Sequence, residues 1–236
     1  MAIEYFVFGG QDSRNYSIYI SGSGVFGAPE RDGSKVSIPG RNGEMFLDNG
    51  RYKNIEIKYP AFIKDNFANN IKGFRNKIAA QKGYQRLEDS YHTDEFRIAR
   101  YKGAVKTKPV LRGLDKQTFD IIFDCKPQRF LKTGETAVEY TASGTITNPT
   151  EMTALPLIRV IGTGTLTIGG VAITITTNTD YIDIDCETQE AYYGSTNMNS
   201  CIQLTNGLFP SLAAGSNTVD IGTLTKATIT PRWWIL

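Results

Sequence analysis

Two aspartates one residue apart, Asp183 and Asp185, come nearest to a catalytic pair in this 236-residue chain. On an extended strand such side chains share a face roughly 6–7 Å apart, a separation at which paired carboxylates can cleave a glycosidic bond. The same pattern decorates any solvent-facing strand, and that plainer reading is favoured. No Asp-x-Asp-x-Asp-Gly loop surrounds them, which argues against a calcium site. His92 is the sole histidine, so any Ser-His-Asp or Cys-His set must use it. It lies in Ser90-Tyr91-His92-Thr93-Asp94, which reads as a solvated polar turn. One histidine and no Cys-x-x-Cys is poor material for zinc or iron. No Gly-x-x-x-x-Gly-Lys phosphate loop occurs. The expectation is therefore a protein with no catalytic set, no cofactor and no metal: not an enzyme.

Three tyrosines stand near those aspartates. Tyr181, Tyr192 and Tyr193 could stack on sugar rings, although aromatics on strands are more often packing. Trp233 and Trp234, in Pro231-Arg232-Trp233-Trp234-Ile235-Leu236, are too apolar for a free tail and should dock in a groove or core. The cysteines are Cys125, Cys186 and Cys201. Their odd number argues against a disulfide framework and for reduced thiols in a cytoplasm. The sequence begins Met1-Ala2-Ile3-Glu4 without a basic and then apolar leader, so no secretory signal is read. No apolar run approaches membrane-spanning length.

The elements that must position these residues are strands, with one exception. Phe67, Ile71, Phe74 and Ile78 recur at steps of four, three and four, placing them on one face of a helix over Asn66–Gln81. Asn66 reads as its N-cap through the side-chain oxygen and Gly83 as C′. Gly73 should weaken the interior by about 1 kcal/mol relative to Ala. Strands are expected over Ile3–Phe8, Ser17–Ile20, Lys35–Ile38 and Arg51–Ile63. Pro39-Gly40 and Asn42-Gly43 imply two consecutive tight turns. Tyr84–Leu87 and Phe96–Lys106 read as a long basic-aromatic hairpin that could project. Lys108–Asp115 reads as a connection, and Thr118–Cys125 as a strand closed by Pro127.

From Leu155 onward the pattern is short strands at even spacing, with a Gly169-Gly170 hairpin turn and the Tyr181–Asp185 strand pairing with Ala191–Tyr193. That implies a sandwich or jelly-roll. Charge divides at the same place. Through Arg129 there are 22 Lys+Arg and 15 Asp+Glu; from Phe130 onward 4 and 9, so +7 against −5. A junction is expected near residues 125–145. The mixing of signs in the first part argues against nucleic-acid binding.

In their order along the chain, several segments carry a resemblance. They are Val36-Ser-Ile-Pro-Gly-Arg-Asn-Gly-Glu44, the helix after Ile55–Tyr59, Phe123-Asp-Cys-Lys-Pro127, and Asn148-Pro149 with Leu155-Pro-Leu-Ile158. Phe209-Pro210 with Ala214-Gly-Ser-Asn217, and Pro231-Arg-Trp-Trp234, complete the set. Together the chain resembles the distal tail proteins (Dit) of long-tailed phages of Gram-positive bacteria.

The resemblance implies a mainly β fold. Residues 1–135 would be a ring-forming β-sandwich with one α-helix and a protruding β-hairpin, with 225–236 as a segment that could close it. Residues 136–236 would be a galectin-like sandwich. It implies a hexameric ring joining the tail tube to the baseplate or tip, in the virion after assembly in the host cytoplasm. Implied partners are further copies of itself, the tail tube, tape measure, and tail-associated lysin or tip proteins, with a receptor-binding protein or host glycan as a further one. DNA would be only passing cargo. The Tyr84–Lys106 hairpin would then be the inter-subunit arm, with Tyr91, Phe96, Arg97, Arg100 and Tyr101 at the interface. Two alternatives remain open. One is a carbohydrate-binding module using Tyr181, Tyr192 and Tyr193. The other is a cell-wall hydrolase using Asp183 and Asp185.

Overall fold

The computed structural model describes residues 3–22, 24–109, 117–177 and 179–236. The expected connection over Lys108–Asp115 falls largely outside them. The chain divides into two compact units, Met1–Arg129 with Leu236, and Phe130–Ile235.

The first unit contains β1 (Phe6–Phe8), β2 (Gln11–Asp12), β3 (Ile18–Ile20), β4 (Arg31–Ser37), β5 (Glu44–Tyr52) and β6 (Ile55–Ile63). After α1 (Phe67–Phe74) come β7 (Gln85–Asp89), β8 (Glu95–Lys102), β9 (Lys108–Pro109) and β10 (Gln117–Leu131). One sheet runs β2-β1-β7-β8-β10-β6-β3. A bridge between Glu4 and Ile20 brings the chain before β1 back to β3, so the sheet curls around its core. That core is aromatic: Phe6, Phe8, Tyr59, Phe74, Phe119 and Phe123 are buried. Their rings meet mostly edge-on, as between Phe6 and Phe123 at 5.6 Å, an arrangement favoured by the ring quadrupole.

Ile71, Phe74 and Ile78 face this core as their spacing requires, but three local expectations need correction. Asn66 caps through its backbone: it sits at φ 41°, makes no side-chain cap bond, and its carbonyl accepts the Asn70 N–H at 3.0 Å. The segment after α1, Arg75–Ala79, is a π turn rather than continuous α-helix. Gly73 is there for space: a Cβ would lie 2.6 Å from the Tyr16 ring, so only glycine lets the Ser13–Tyr16 turn approach α1. A fourth correction concerns β10, which runs through Pro127 instead of stopping there. Its ladder with β6 ends at Cys125, so the missing proline N–H removes no bond from that ladder.

The second unit contains β11 (Val138–Tyr140), β12 (Gly144–Asn148), β13 (Leu157–Ile161), β14 (Gly164–Ile168), β15 (Val171–Ile175) and β16 (Ile182–Asp185). It continues with β17 (Glu190–Tyr193), β18 (Thr196–Asn197), β19 (Ile202–Leu204), β20 (Gly215–Asp220), β21 (Lys226–Thr230) and β22 (Trp234–Ile235). Two antiparallel sheets, β11-β21-β13-β16-β17-β18 and β12-β20-β14-β15-β19, enclose an aliphatic core. Ile158, Val160, Ile182 and Ile184 come from one sheet; Leu166, Ile168, Ile173, Ile175 and Val219 come from the other. Each such side chain stabilises by about 1.5–3 kcal/mol when fully buried. The two-residue turn at Gly169-Gly170 is present, with Ile168 opposite Val171.

Trp233 docks in this core at 6% exposure. Its carbonyl accepts the Leu131 N–H at 2.8 Å. Its backbone lies so close to Gly134 that a Cβ there would be 2.3 Å from the Trp233 nitrogen.

Candidate functional site

β16 alternates Ile182 and Ile184 inward with Asp183 and Asp185 outward. The aspartates nonetheless have little solvent, at 7% and 9% exposure. Arg159, opposite Asp183 in the β13–β16 register, donates Nε and Nη2 to the two Asp183 oxygens at 2.7 and 2.8 Å. Arg232 donates Nη1 and Nη2 to the two Asp185 oxygens, each at 2.8 Å. The Asp185 Oδ1 also accepts the Glu187 N–H at 2.9 Å. Burial pushes the Asp185 carboxyl up, but the Arg232 fork and these backbone donors outweigh it and hold it below the usual carboxylate range. The expected solvent-facing pair is thus two bidentate ion pairs, a geometry that fixes the strand.

His92 also differs from expectation. Its side chain is only 15% exposed and its Nδ1 lies 3.1 Å from Asp89 Oδ1. The Phe26 ring meets it edge-on at 5.1 Å. The turn is therefore built around Asp89. Its Oδ1 also accepts the Tyr91 and His92 N–H groups at 3.0 and 2.9 Å, and its Oδ2 accepts the Tyr59 hydroxyl at 2.6 Å.

Cys125 and Cys186 are buried free thiols, each pushed up to about 12 by burial, so neither supplies a thiolate nucleophile. Among the described residues no group of three His, Cys, Asp or Glu could hold a metal ion.

The three tyrosines do not form one platform. Tyr181 and Tyr193 touch at 4.8 Å with rings tilted 55°. The Arg159 guanidinium covers Tyr181 at 4.1 Å. Tyr192, one residue before Tyr193, stands opposite Asp183. Tyr193 keeps the most exposure and donates its hydroxyl to Asp180 at 3.2 Å.

The hairpin expected to project does not. β7 and β8 are interior strands of the curled sheet, and Leu87, Arg97 and Ala99 are all buried. Arg100 Nε donates to Asp124 Oδ2 at 2.8 Å. Tyr101 packs on Phe74 at 5.8 Å, and Phe96 carries the Arg86 guanidinium at 3.7 Å. Tyr91 donates its hydroxyl to the Gly22 carbonyl at 3.3 Å. Tyr91, Phe96, Arg100 and Tyr101 are thus engaged within their own unit, and Arg97, at 7% exposure, has almost no surface to offer a neighbour.

The projecting element is the preceding hairpin, β4–β5, which forms a two-stranded sheet by itself. No residue from Arg31 to Tyr52 is buried. The register pairs Val36 with Met45 and Ser34 with Leu47, so Val36, Met45 and Leu47 share one face, at 37%, 44% and 49% exposure. Phe46 lies on the other face, folded over Gly33, where a Cβ would come 2.4 Å from its ring. Cross-strand ion pairs brace the arm, including Arg51–Asp32 at 2.7 Å and Arg31–Asp48 at 3.2 Å. The turn residues Pro39–Gly43 signal this hairpin. The missed half was Glu44–Tyr52, whose Met45-Phe46-Leu47 run mirrors Lys35–Ile38 across the turn.

This architecture is similar to that of solved phage tail proteins. Superposition on the Dit protein of phage SPP1, described as a paradigm of the hub adsorption apparatus in phages infecting Gram-positive bacteria, gives a TM-score of 0.72. It covers 97% of this chain and 98% of that one at 14% identity. Chains of the phage P2 baseplate in its activated conformation, with calcium or with strontium, match at TM-scores of 0.53 and 0.51 and 11% and 12% identity. Each covers 97% of both chains. The sequence itself matches no family profile and no curated protein. The chain thus has the Dit fold from end to end, with little sequence in common.

Proposed function

We propose that the protein is a structural hub of a phage tail tip, whose copies form a hexameric ring joining the tail tube to the host-adsorption apparatus. The observation that carries this reading is the β4–β5 arm. An isolated two-stranded hairpin is marginal in water, and this one exposes apolar side chains on both faces. A ring needs a heterologous contact, one patch meeting a different patch on the next copy, and a free arm supplies one side of it. The end-to-end likeness to the SPP1 hub supports the same role.

In this reading residues 1–135 build the ring and 136–236 face outward, with tape measure, tip or lysin, and receptor-binding proteins as neighbours in the virion. DNA passes through the lumen. The role is architectural rather than catalytic. Sedimentation and negative-stain imaging test it: rings are expected for the intact protein, and folded monomers after deletion of Ile38–Gly43. A monomer at high concentration with no rings in the images would overturn it.

A second reading, glycan binding by the outward unit, is favoured by the exposed Tyr193 ring beside Tyr181 and Asp180. A glycan array with Tyr193→Ala as control decides it; equal silence for both proteins removes it.

A further inference from the structure

Three Asn-Gly pairs occur in the chain: Asn42-Gly43, Asn49-Gly50 and Asn206-Gly207. Such a pair can rearrange without an enzyme. Glycine has no side chain to shield its backbone nitrogen, and that nitrogen can reach the side-chain amide carbon of the asparagine before it. Whether it does so depends on how firmly the two groups are held.

The fold treats the three pairs differently. Asn49-Gly50 lies inside β5, where the Gly50 N–H donates to Asp48 Oδ1 at 2.7 Å. The Asn49 side chain is itself bonded to the Asp32 carboxylate. Asn206 and Gly207 are two consecutive left-handed residues, at φ 56° and 69°, in a turn closed by the Leu208 N–H on the Thr205 carbonyl at 3.3 Å. Asn42-Gly43 has no comparable restraint. The bond from the Arg41 N–H to the Ile38 carbonyl, at 3.1 Å, closes the turn just before it. The ladder begins just after it, with Ser37 opposite Glu44. Both residues are exposed. Among the described residues no hydrogen bond holds the Asn42 side chain or the Gly43 N–H. A Cβ placed on Gly43 would meet nothing within 4 Å, so the space that a rearrangement needs is open.

We propose that Asn42 is a self-modifying site that ages the β4–β5 arm. The Gly43 nitrogen loses its proton and attacks the Asn42 side-chain amide carbon. A new C–N bond closes a succinimide ring, and the side-chain nitrogen leaves as ammonia, carrying away that proton. Water then opens the ring at one carbonyl or the other. One opening leaves aspartate. The other leaves isoaspartate, in which the main chain runs through the side-chain carbon.

Either product adds a negative charge between Arg41 and Glu44. Isoaspartate also inserts an extra carbon into the main chain of a tight turn, and turn geometry fixes hairpin register. The Ser37–Glu44 end of the ladder is therefore lost. On the ring reading above, the arm loses its grip on the next copy with it.

The intact protein is aged in mildly alkaline buffer, beside a mildly acidic control, and cut after lysine. One peptide, 36–53, then carries both Asn42 and Asn49. Fragmentation mass spectrometry should place the amide-to-acid mass gain on Asn42 in the alkaline sample, while Asn49 and Asn206 keep their amides. Labelling by isoaspartyl methyltransferase should identify isoaspartate at the same position. Asn42→Gln, whose longer side chain closes the ring poorly, should show neither signal. Sedimentation of the aged samples reads the consequence: the parent should lose self-association in proportion to conversion, and Asn42→Gln should keep it. No conversion at Asn42, equal conversion at Asn49, or undiminished association of a fully converted sample would overturn the proposal. Fresh protein that never associates would instead overturn the ring reading, and the arm's loss of grip with it, while the mass gain still decides the modification.

Discussion

Two hairpins in the first unit have similar lengths and a similar mix of charge and aromatics, yet only one stands free. In β7–β8, Leu87, Arg97 and Ala99 are buried, both strands have sheet partners on their outer sides, and the turn is tied to β6 through Asp89 and Tyr59. In β4–β5 nothing is buried and each strand has only the other. The difference lies in where the apolar residues sit relative to the rest of the chain, not in hairpin propensity. A hairpin whose apolar face finds a core becomes part of the sheet. One whose apolar face finds none becomes an arm that must find its cover elsewhere.

Substitutions can break this contrast, and the largest effect belongs to the embedded hairpin. Leu87→Ala should destabilise the first unit by about 2–5 kcal/mol, as a cavity in a packed core, read by denaturant unfolding. Asp89→Asn should cost about 1–3 kcal/mol, because it perturbs a buried acceptor shared by Tyr59 and the turn. The double variant Met45→Ser with Leu47→Ser should leave unfolding within about 0.5 kcal/mol of the parent while abolishing self-association in sedimentation. A stability loss as large as that of Leu87→Ala would mean the arm is packed after all. Lys35→Ala should have the smallest effect, below about 0.5 kcal/mol, since its pair with Glu44 is exposed.

The arm also responds to acid. Hydrogen bonds from Arg51, then Asn49, lower the Asp32 pKa. A depressed carboxylate adds stability above its unfolded value that is lost as pH falls through the folded one. Amide exchange in β4 and β5 should therefore speed up only below the ordinary carboxylate range, before the embedded hairpin opens.

Periodicity made much of this molecule legible. The helix face, the Gly169-Gly170 turn, the β16–β17 pairing and the docked Trp233 all follow from local patterns of apolar residues and turn formers. What stayed hidden depends on distant neighbours. Nothing local says that Arg159 and Arg232 will close over Asp183 and Asp185, or that Asp89 will draw His92 inward. Gly73 looks like a weak helix residue until Tyr16 is placed against it. The two hairpins were exchanged for the same reason: an alternating strand shows which face is apolar, and only the fold decides whether anything covers it.

The strand order of the second unit sets a timetable for its synthesis. Among the described residues β11 pairs only with β21, and β12 only with β20, so both leave the ribosome long before their partners exist. At about 5–20 residues per second the nascent chain carries them as orphans for several seconds. Glu139, Thr145 and Thr147 interrupt their apolar positions. A chain that must wait is safer if its waiting strands are poor templates for one another.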